Sequence, residues 1–229
     1  MNRRKQTRST VWMGVLAAGA LALGMIWLAG CSTTVYKQGD QAAGSAEAAA
    51  LAVQTESQTL AGTMTTLSNL VEKPAADLKP QFHDFSAGLD NLVAAVKRAE
   101  AARTQFARSN AAFLAAWTRQ LTNITNAQVR SSSETRKAEV SKQVDAASAR
   151  CEQTQSALRS LVNYLQDIRK ALSIDLTPAG IESAKPLVSN ANTTASKVQT
   201  DLAQTVTDLK ALSAQMSSAK GAAATPPGS

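Results

Sequence analysis

Very few side chains in this sequence are of types that could carry out chemistry. The 229 residues include one His and two Cys, too few to build most metal sites or a nucleophile with its base. His83 stands beside Asp84, which could orient it as a general base, but neighbouring residues in a helix do not face each other. We therefore expect His83 to be an exposed, solvated side chain near the start of a helix. Because no phosphate loop, metal-ligand spacing or Gly-x-Ser-x-Gly turn occurs, we predict no catalytic, cofactor-binding or metal-binding residues and a protein that is not an enzyme.

Cys31 is the residue whose surroundings indicate a covalent modification. An uncharged run from Val11 to Gly30 follows a basic start and ends in Leu28-Ala29-Gly30-Cys31. The basic residues of that start are Arg3, Arg4, Lys5 and Arg8. A basic start, an apolar run and small residues before a cleavage point are typical of a secretory signal. Leu-Ala-Gly-Cys resembles the lipobox of bacterial lipoproteins, which implies a signal peptide at residues 1–30 and acylation of the Cys31 thiol.

A transmembrane helix is the alternative for residues 11–30, because about 18 apolar residues can span a bilayer. We favour the lipoprotein, since three glycines interrupt the run and Cys31 stands where cleavage requires it. In diderm bacteria an Asp after the acylated Cys usually favours retention in the inner membrane, and residue 32 is Ser. We therefore expect attachment to the outer membrane through the acyl chains on Cys31, with the protein on the periplasmic face.

Cys151 is the second cysteine, and its position in an apolar stripe predicts burial. A buried cysteine behaves as a small hydrophobic side chain. The alternative is that this unpaired thiol crosslinks two chains across a dimer seam in an oxidising compartment.

Charge adds one candidate surface. The chain has 24 Lys and Arg against 17 Asp and Glu, but much of the excess lies in residues 1–30. Between Lys97 and Lys170 there are 13 basic and 6 acidic residues. The residues that could bind lipid phosphates or another anionic polymer are Arg103, Arg108, Arg119, Arg130, Arg136 and Lys137. A solvated helix face is the alternative, because these charges are spread over two helices. Nucleic acid is disfavoured by the compartment and by the scarcity of aromatic side chains.

Four stripes of apolar residues, spaced by alternating steps of four and three, predict four long helices that position these side chains. The helices are expected at about 45–72, 77–125, 131–173 and 178–218. Residues 31–44 are expected to be a polar tether that carries the lipid, and residues 219–229 a disordered tail.

Local signals mark the helix ends. Asp77, Ser131 and Thr177 are the expected N-caps, with Glu134 completing a capping box after Ser131. Pro178 fits the first position of the last helix, where its missing N–H costs little. Pro186 should kink that helix or end a short first piece of it.

Long stripes with short connections predict an all-α fold, an elongated antiparallel helical bundle in which the second and third helices form a long coiled-coil hairpin. Arg103 and Asn110 interrupt the stripe of the second helix. They either fix the register between helices or mark a place where the bundle loosens and solvent enters.

The stretch from Phe113 to Pro186 resembles an uncharacterised family of bacterial helical lipoproteins, a domain-of-unknown-function family of periplasmic coiled-coil proteins. The residues that carry the resemblance are Trp117 with Leu121, Asn126 with Arg130 and Ser133, Leu165, Leu172, and Asp175-Leu176-Thr177-Pro178-Ala179-Gly180. The resemblance implies a periplasmic coiled-coil fold and no established activity.

These observations predict a lipid-anchored, non-enzymatic structural or adaptor protein of the bacterial cell envelope. It would present a coiled-coil surface to a protein partner or to a second copy of itself, and it would bind no small-molecule substrate. The alternative is an envelope binding module whose basic helical hairpin recognises anionic lipid or glycan.

The lipid anchor gives a direct test. Replacing Cys31 by Ala should leave the signal peptide uncleaved and should abolish the incorporation of labelled fatty acid, because the thiol is the acylated group. Intact mass measurement of the membrane fraction checks both changes. A wild-type protein that keeps residues 1–30 and carries no lipid would contradict the prediction and favour a transmembrane anchor.

Overall fold

The computed structural model of this protein describes residues 34–218. The predicted signal peptide, the predicted lipidation site Cys31 and the predicted tail at 219–229 lie outside the described residues.

The described chain is a bundle of four long helices, which confirms the predicted all-α class. In chain order they are α1 Val35–Glu72, α2 Lys79–Leu121, α3 Ala127–Ile174 and α4 Pro178–Met216. Connections of three to six residues make consecutive helices antiparallel. Each helix packs against two others, so that α1 lies between α2 and α4, and α3 closes the ring. At 43 residues, α2 is about 65 Å long. None of the described helices is long and apolar enough to cross a membrane.

The first half of α1 packs closely on its neighbours because its buried face is made of small side chains. Ala42, Ala46, Ala49 and Ala50 are fully buried, and contact is most extensive in the α1–α2 and α1–α4 pairs. At Thr63 the approach is close enough for the side-chain hydroxyl to donate to the Gly88 carbonyl of α2 at 2.9 Å. Small residues let helix axes approach, and larger side chains such as Leu60 and Leu67 fill the buried face of the second half of α1.

The predicted tether is wrong for residues 35–44, which are the first turns of α1. Glycine costs about 1 kcal/mol inside a helix, but tertiary packing overrides that cost here. Gly39 is buried, and a Cβ at this position would lie 3.2 Å from the Phe113 ring. The Asp40 carboxylate also accepts hydrogen bonds from the Ser218 N–H at 2.6 Å and the Ser218 hydroxyl at 2.8 Å. These bonds hold the pKa of Asp40 below its usual value and tie α1 to the end of α4.

The N-cap predictions have mixed outcomes. Thr177 accepts a hydrogen bond from the Gly180 N–H at 3.2 Å with Pro178 at the start of α4, as predicted. The Ser131 cap is wrong, because α3 begins four residues earlier, where Asn126 accepts from Gln128 N and Val129 N. Asp77 accepts from the Lys79 N–H at 3.1 Å but precedes the N-cap position, which is Leu78.

The α2–α3 hairpin projects at one end of the bundle. The tip of the α2–α3 hairpin extends past α1 by roughly one turn and past α4 by roughly two, because Gly39 of α1 meets Phe113 and Gln215 near the end of α4 accepts a hydrogen bond from Arg136. The Trp117 indole N–H donates to the Ser133 hydroxyl at 2.9 Å and joins the two helices there.

Helix α4 continues through Pro186, so it is not divided into two pieces.

The burial of side chains on α3 predicts how much their truncation lowers the free energy of unfolding. Leu161 is 1% exposed, whereas Gln153 on the same helix is exposed. Leu161→Ala should lower the free energy of unfolding by about 2–5 kcal/mol, since it removes buried apolar area and leaves a cavity. Gln153→Ala should change it by less than about 0.5 kcal/mol. Thermal unfolding of both variants checks the register of α3, and equal effects would contradict it.

Candidate functional site

A pair of charged side chains lies inside the bundle between α1 and α2. The Glu56 side chain is fully buried, and its Oε2 accepts a hydrogen bond from Arg103 Nη1 at 3.3 Å. The Arg103 side chain is 11% exposed. Glu56 Oε1 and Arg103 Nη2 are both buried without a hydrogen-bond partner among the described residues. The pair is therefore only partly satisfied, which is costly for buried charged groups.

The protonation of Glu56 reflects this environment. Burial raises the pKa of Glu56 from its ordinary value of 4.5 to about 7, and the Arg103 guanidinium lowers it in part. Desolvation disfavours the charged carboxylate more than one long ion pair restores it. The carboxyl group consequently changes its protonation close to neutral pH.

A groove opens on the other side of Arg103, between α2 and α3. Its volume is about 540 Å³, within the usual range for ligand sites, and only residues of these two helices line it. Arg103 and Phe106 come from α2, and Cys151 and Gln155 from α3. The groove continues towards Val93 and Gln166 through a second cavity that shares Glu100, Arg159 and Asn163.

The α2–α3 seam is open because polar contacts replace apolar packing along it. This pair of neighbouring helices shares the least contact in the bundle. Glu100 pairs with Arg159 at 2.6 Å, and Asp90 pairs with Arg169 at 2.6 Å. Both ion pairs lie at the surface, where each contributes about 0–1 kcal/mol. The seam is therefore held more weakly than the two seams of α1.

Gln155 is the most unusual side chain in the groove. It is 8% exposed, and both its amide nitrogen and its amide oxygen are buried without a partner in the described chain. On the α4 side of the same helix, Thr154 instead makes a hydrogen bond with Thr205 at 3.2 Å. A buried polar group without a partner costs about 1–3 kcal/mol, so this carboxamide lowers the stability of the α2–α3 seam.

Cys151 is buried, as predicted, and is 4% exposed at the base of the groove. Burial raises the pKa of its thiol from 9.0 to about 11, so the reactive thiolate is scarce at neutral pH. A disulfide between two chains would require Cys151 to leave this position.

The six basic residues of the predicted anionic-ligand surface differ in exposure and in their contacts. Arg103 pairs with Glu56 inside the bundle, which removes it from an open basic surface. Arg136 pairs with Glu139 at 3.4 Å, and Lys137 donates to the Thr118 hydroxyl at 3.0 Å. Of the remaining three, Arg108 and Arg119 on α2 are exposed, and Arg130 near the start of α3 is half-buried.

The two polar interruptions of α2 differ in role. Arg103 pairs with Glu56 of α1, as expected of a residue that fixes the register between helices. It also borders the groove, as expected of a residue at a place where the bundle loosens. Asn110 is 1% exposed and donates to the Phe106 carbonyl of its own helix at 2.8 Å, so it fixes no register between helices through this bond. His83 is exposed, as expected. In residues 34–218, no group of three or more His, Cys, Asp or Glu side chains could hold a metal ion.

Glu56 and Gln155 were not among the predicted site residues. The alternating steps of four and three place Ser57 on the stripe of α1 and Thr154 on that of α3, and Glu56 and Gln155 stand beside these residues. In a four-helix bundle each helix buries two flanks, so a residue one position from the stripe can face a second neighbour. Glu56 lies three residues after Val53 and four residues before Leu60, so it shares a helix face with them. That spacing was the signal available in the sequence.

Comparisons of the chain with protein-family models, with curated proteins and with solved structures give no match. The resemblance to the helical lipoprotein family therefore stays a prediction.

The buried carboxyl group of Glu56 predicts an unusual dependence of stability on pH. A raised pKa means that the folded state binds the proton more tightly, so the protonation of Glu56 contributes to the free energy of unfolding. This contribution is complete below about pH 4.5 and is lost as pH rises through about 7. Wild-type protein should therefore unfold at a higher temperature near pH 5.5 than near pH 8.5. The full shift of the pKa corresponds to on the order of 3 kcal/mol in the free energy of unfolding, and about 2 kcal/mol of it is lost between pH 5.5 and pH 8.5.

Glu56→Gln should reduce this pH dependence, because the amide cannot ionise. Glu47→Gln is the matched control, an exposed acid on the same helix, and should keep the wild-type dependence. Arg103 keeps its charge in Glu56→Gln, so the absolute unfolding temperature of the variant also changes. The comparison therefore uses the slope of unfolding temperature against pH. An unchanged slope in Glu56→Gln would show that another group titrates.

Proposed function

We propose that this protein is a lipid-anchored, non-enzymatic structural or adaptor protein of the bacterial cell envelope that presents its α2–α3 face to a protein partner. The observation that carries the proposal is the asymmetry of the bundle. The two seams of α1 have the most extensive contact, whereas the α2–α3 seam has the least contact and a groove that extends along it. An incompletely packed face on a rigid rod is where a partner can add buried surface.

The sequence around Cys31 supports the anchored part of the proposal. Leu28-Ala29-Gly30-Cys31 and the apolar run before it fit a cleaved and acylated lipoprotein signal, and Ser32 fits the outer membrane. Acyl chains on Cys31 would attach the bundle to the membrane without a basic patch. The groove would then remain available to a partner in the periplasm.

The competing proposal is a binding module for anionic lipid or glycan. Exposed Arg108 and Arg119 on α2 support it. The pairing of Arg103 with Glu56 and of Arg136 with Glu139 weighs against it, because paired cations are less free to meet phosphate or carboxylate groups.

Site-specific photocrosslinking in cells tests the proposed face. A photoreactive residue in place of Ser156, which lines the groove, should give a defined protein adduct whose crosslinked peptide is the same in replicate experiments. The same residue in place of Lys197, an exposed position on α4, is the matched control and should give little of that adduct. Equal adducts at both positions would contradict a role for the α2–α3 face.

Vesicle co-sedimentation separates the two proposals. Purified full-length protein should bind anionic and neutral vesicles alike, through its acyl chains. Additional binding that requires anionic lipid, is lost at high salt and is reduced by Arg108→Ala with Arg119→Ala would favour the binding module.

A further inference from the structure

We propose that the hairpin tip, residues 119–133 of the α2–α3 hairpin, rests in the lipid headgroup layer of the membrane that takes up the acyl chains of Cys31. The inference deepens the proposed function and rests on it, since it states how a lipid-anchored bundle stands on its membrane. Two observations carry it. The hairpin tip projects at the end of the bundle where α1 begins, and its side chains suit a lipid surface.

The anchor and the hairpin tip belong to the same end of the bundle. Thr34 precedes the first residue of α1, and in the sequence it follows Cys31 by three residues. Three residues extend a chain by at most about 11 Å. The hairpin tip projects about 5 Å past the start of α1, because Gly39 of α1 meets Phe113 of α2. In an upright bundle the tip is therefore closer to the membrane than α1 is, and the short connection cannot hold either of them far away.

The charge of the hairpin tip suits lipid headgroups. No Asp or Glu occurs between Glu100 and Glu134. The tip carries Arg119, which is exposed, and Arg130, which is half-buried. Neither guanidinium forms an ion pair within residues 34–218, so both are free to meet an anion. Lipid phosphates are the anions that a membrane surface offers to such side chains.

Apolar side chains are also exposed at this end. Val129 is 55% exposed on the first turn of α3, and Tyr36 is 58% exposed on the first turn of α1. A tyrosine ring is amphipathic and is enriched at the level of the headgroups. Small apolar side chains enter the boundary between headgroups and acyl chains. Val129 and Tyr36 therefore gain burial when this end meets a membrane.

The opposite end of the bundle has a different charge. The acidic residues in or beside its two helix connections are Glu72, Asp77, Asp175 and Glu182, and they are mixed with lysines. Carboxylates are repelled by anionic lipid, so the two ends favour one orientation. The hairpin tip lies at the membrane, and the other end of α2 lies about 65 Å from it. The α2–α3 face then stands in the periplasm, where a protein partner can reach it.

The tip contact orients an anchored protein and does not replace the anchor. One arginine near an anionic surface favours contact by about fivefold, and two favour it by about thirtyfold. That preference is too small to collect free protein at a membrane. Once the acyl chains hold the protein, the contact is intramolecular, and a small preference decides the orientation. A lipid-binding module would instead attach protein that carries no acyl chains.

A fluorescent probe at each end of the bundle tests the orientation. Full-length acylated protein is reconstituted into vesicles of phosphatidylethanolamine and phosphatidylglycerol, with Cys151→Ala so that a single introduced thiol is labelled. A nitrobenzoxadiazole probe is attached to Val129→Cys in the tip. Ile174→Cys is the matched control, an apolar position that is 80% exposed at the other end of α3. We expect nitroxide lipids labelled near the headgroup to quench the Val129 probe at least about threefold more strongly, because the length of α3 separates the two probes.

Charge reversal tests whether the tip's own side chains hold this position. Arg119→Glu with Arg130→Glu should reduce quenching of the Val129 probe by at least about half, since attraction to phosphate becomes repulsion. Lys73→Glu with Lys79→Glu reverses two exposed lysines at the opposite end and should leave the quenching unchanged. Thermal unfolding of both double variants checks that they fold. Arg119→Glu alone, at an exposed position, should give a smaller decrease and keeps the test open if the double variant does not fold.

Equal quenching of the two probes would overturn the proposal, and so would quenching of the Val129 probe that survives reversal of the arginines. Mass measurement of the reconstituted protein separates this failure from failure of the anchor. If Cys31 carries its acyl chains but the Val129 probe is not quenched, the proposed anchored function stands and only the inference about the tip fails. Membrane-associated protein without acyl chains would contradict the anchored function itself.

Discussion

The buried ion pair between Glu56 and Arg103 constrains the whole bundle. Removing one partner of such a pair costs about 3–5 kcal/mol, because the other charge is left buried and uncompensated. The two side chains can meet only at one register of α1 against α2, so a slip by one helical turn would separate them. The same contact directs Arg103 Nη1 towards α1 and leaves Nη2 unpaired. One interaction therefore fixes the register of α1 against α2 and leaves a buried nitrogen of Arg103 without a partner in the described chain.

The bundle has two kinds of seam, and the difference has a simple physical origin. Helix α1 buries alanines and approaches its neighbours closely, whereas α2 and α3 meet through long charged side chains at their surface. Alanine allows short distances between helix axes, and long polar side chains require larger ones. The bundle is therefore packed most extensively around α1 and least extensively between α2 and α3.

The candidate site was only partly visible in the sequence. Arg103 was recognisable as a charge within an apolar stripe, and Cys151 as a buried position. Glu56 was not, because charged residues beside a stripe are normally solvated and nothing local distinguishes this one. Gln155 was also missed, since its burial depends on how α3 rests against α2. The six basic residues looked like one surface because sequence order does not show which cations already have partners.

The sequence by itself determined the elements that follow local rules: four helices, their apolar stripes, the Thr177 cap and the exposure of His83. Helical period and capping depend on residues within one or two turns, so they can be read along the chain. Tertiary structure decided the start of α1, where Gly39 is held by Phe113 and Asp40 by Ser218. It also decided the Glu56–Arg103 pair and the α2–α3 groove. These features depend on which helices are neighbours and how closely their axes approach, and those distances arise only when all four helices pack together.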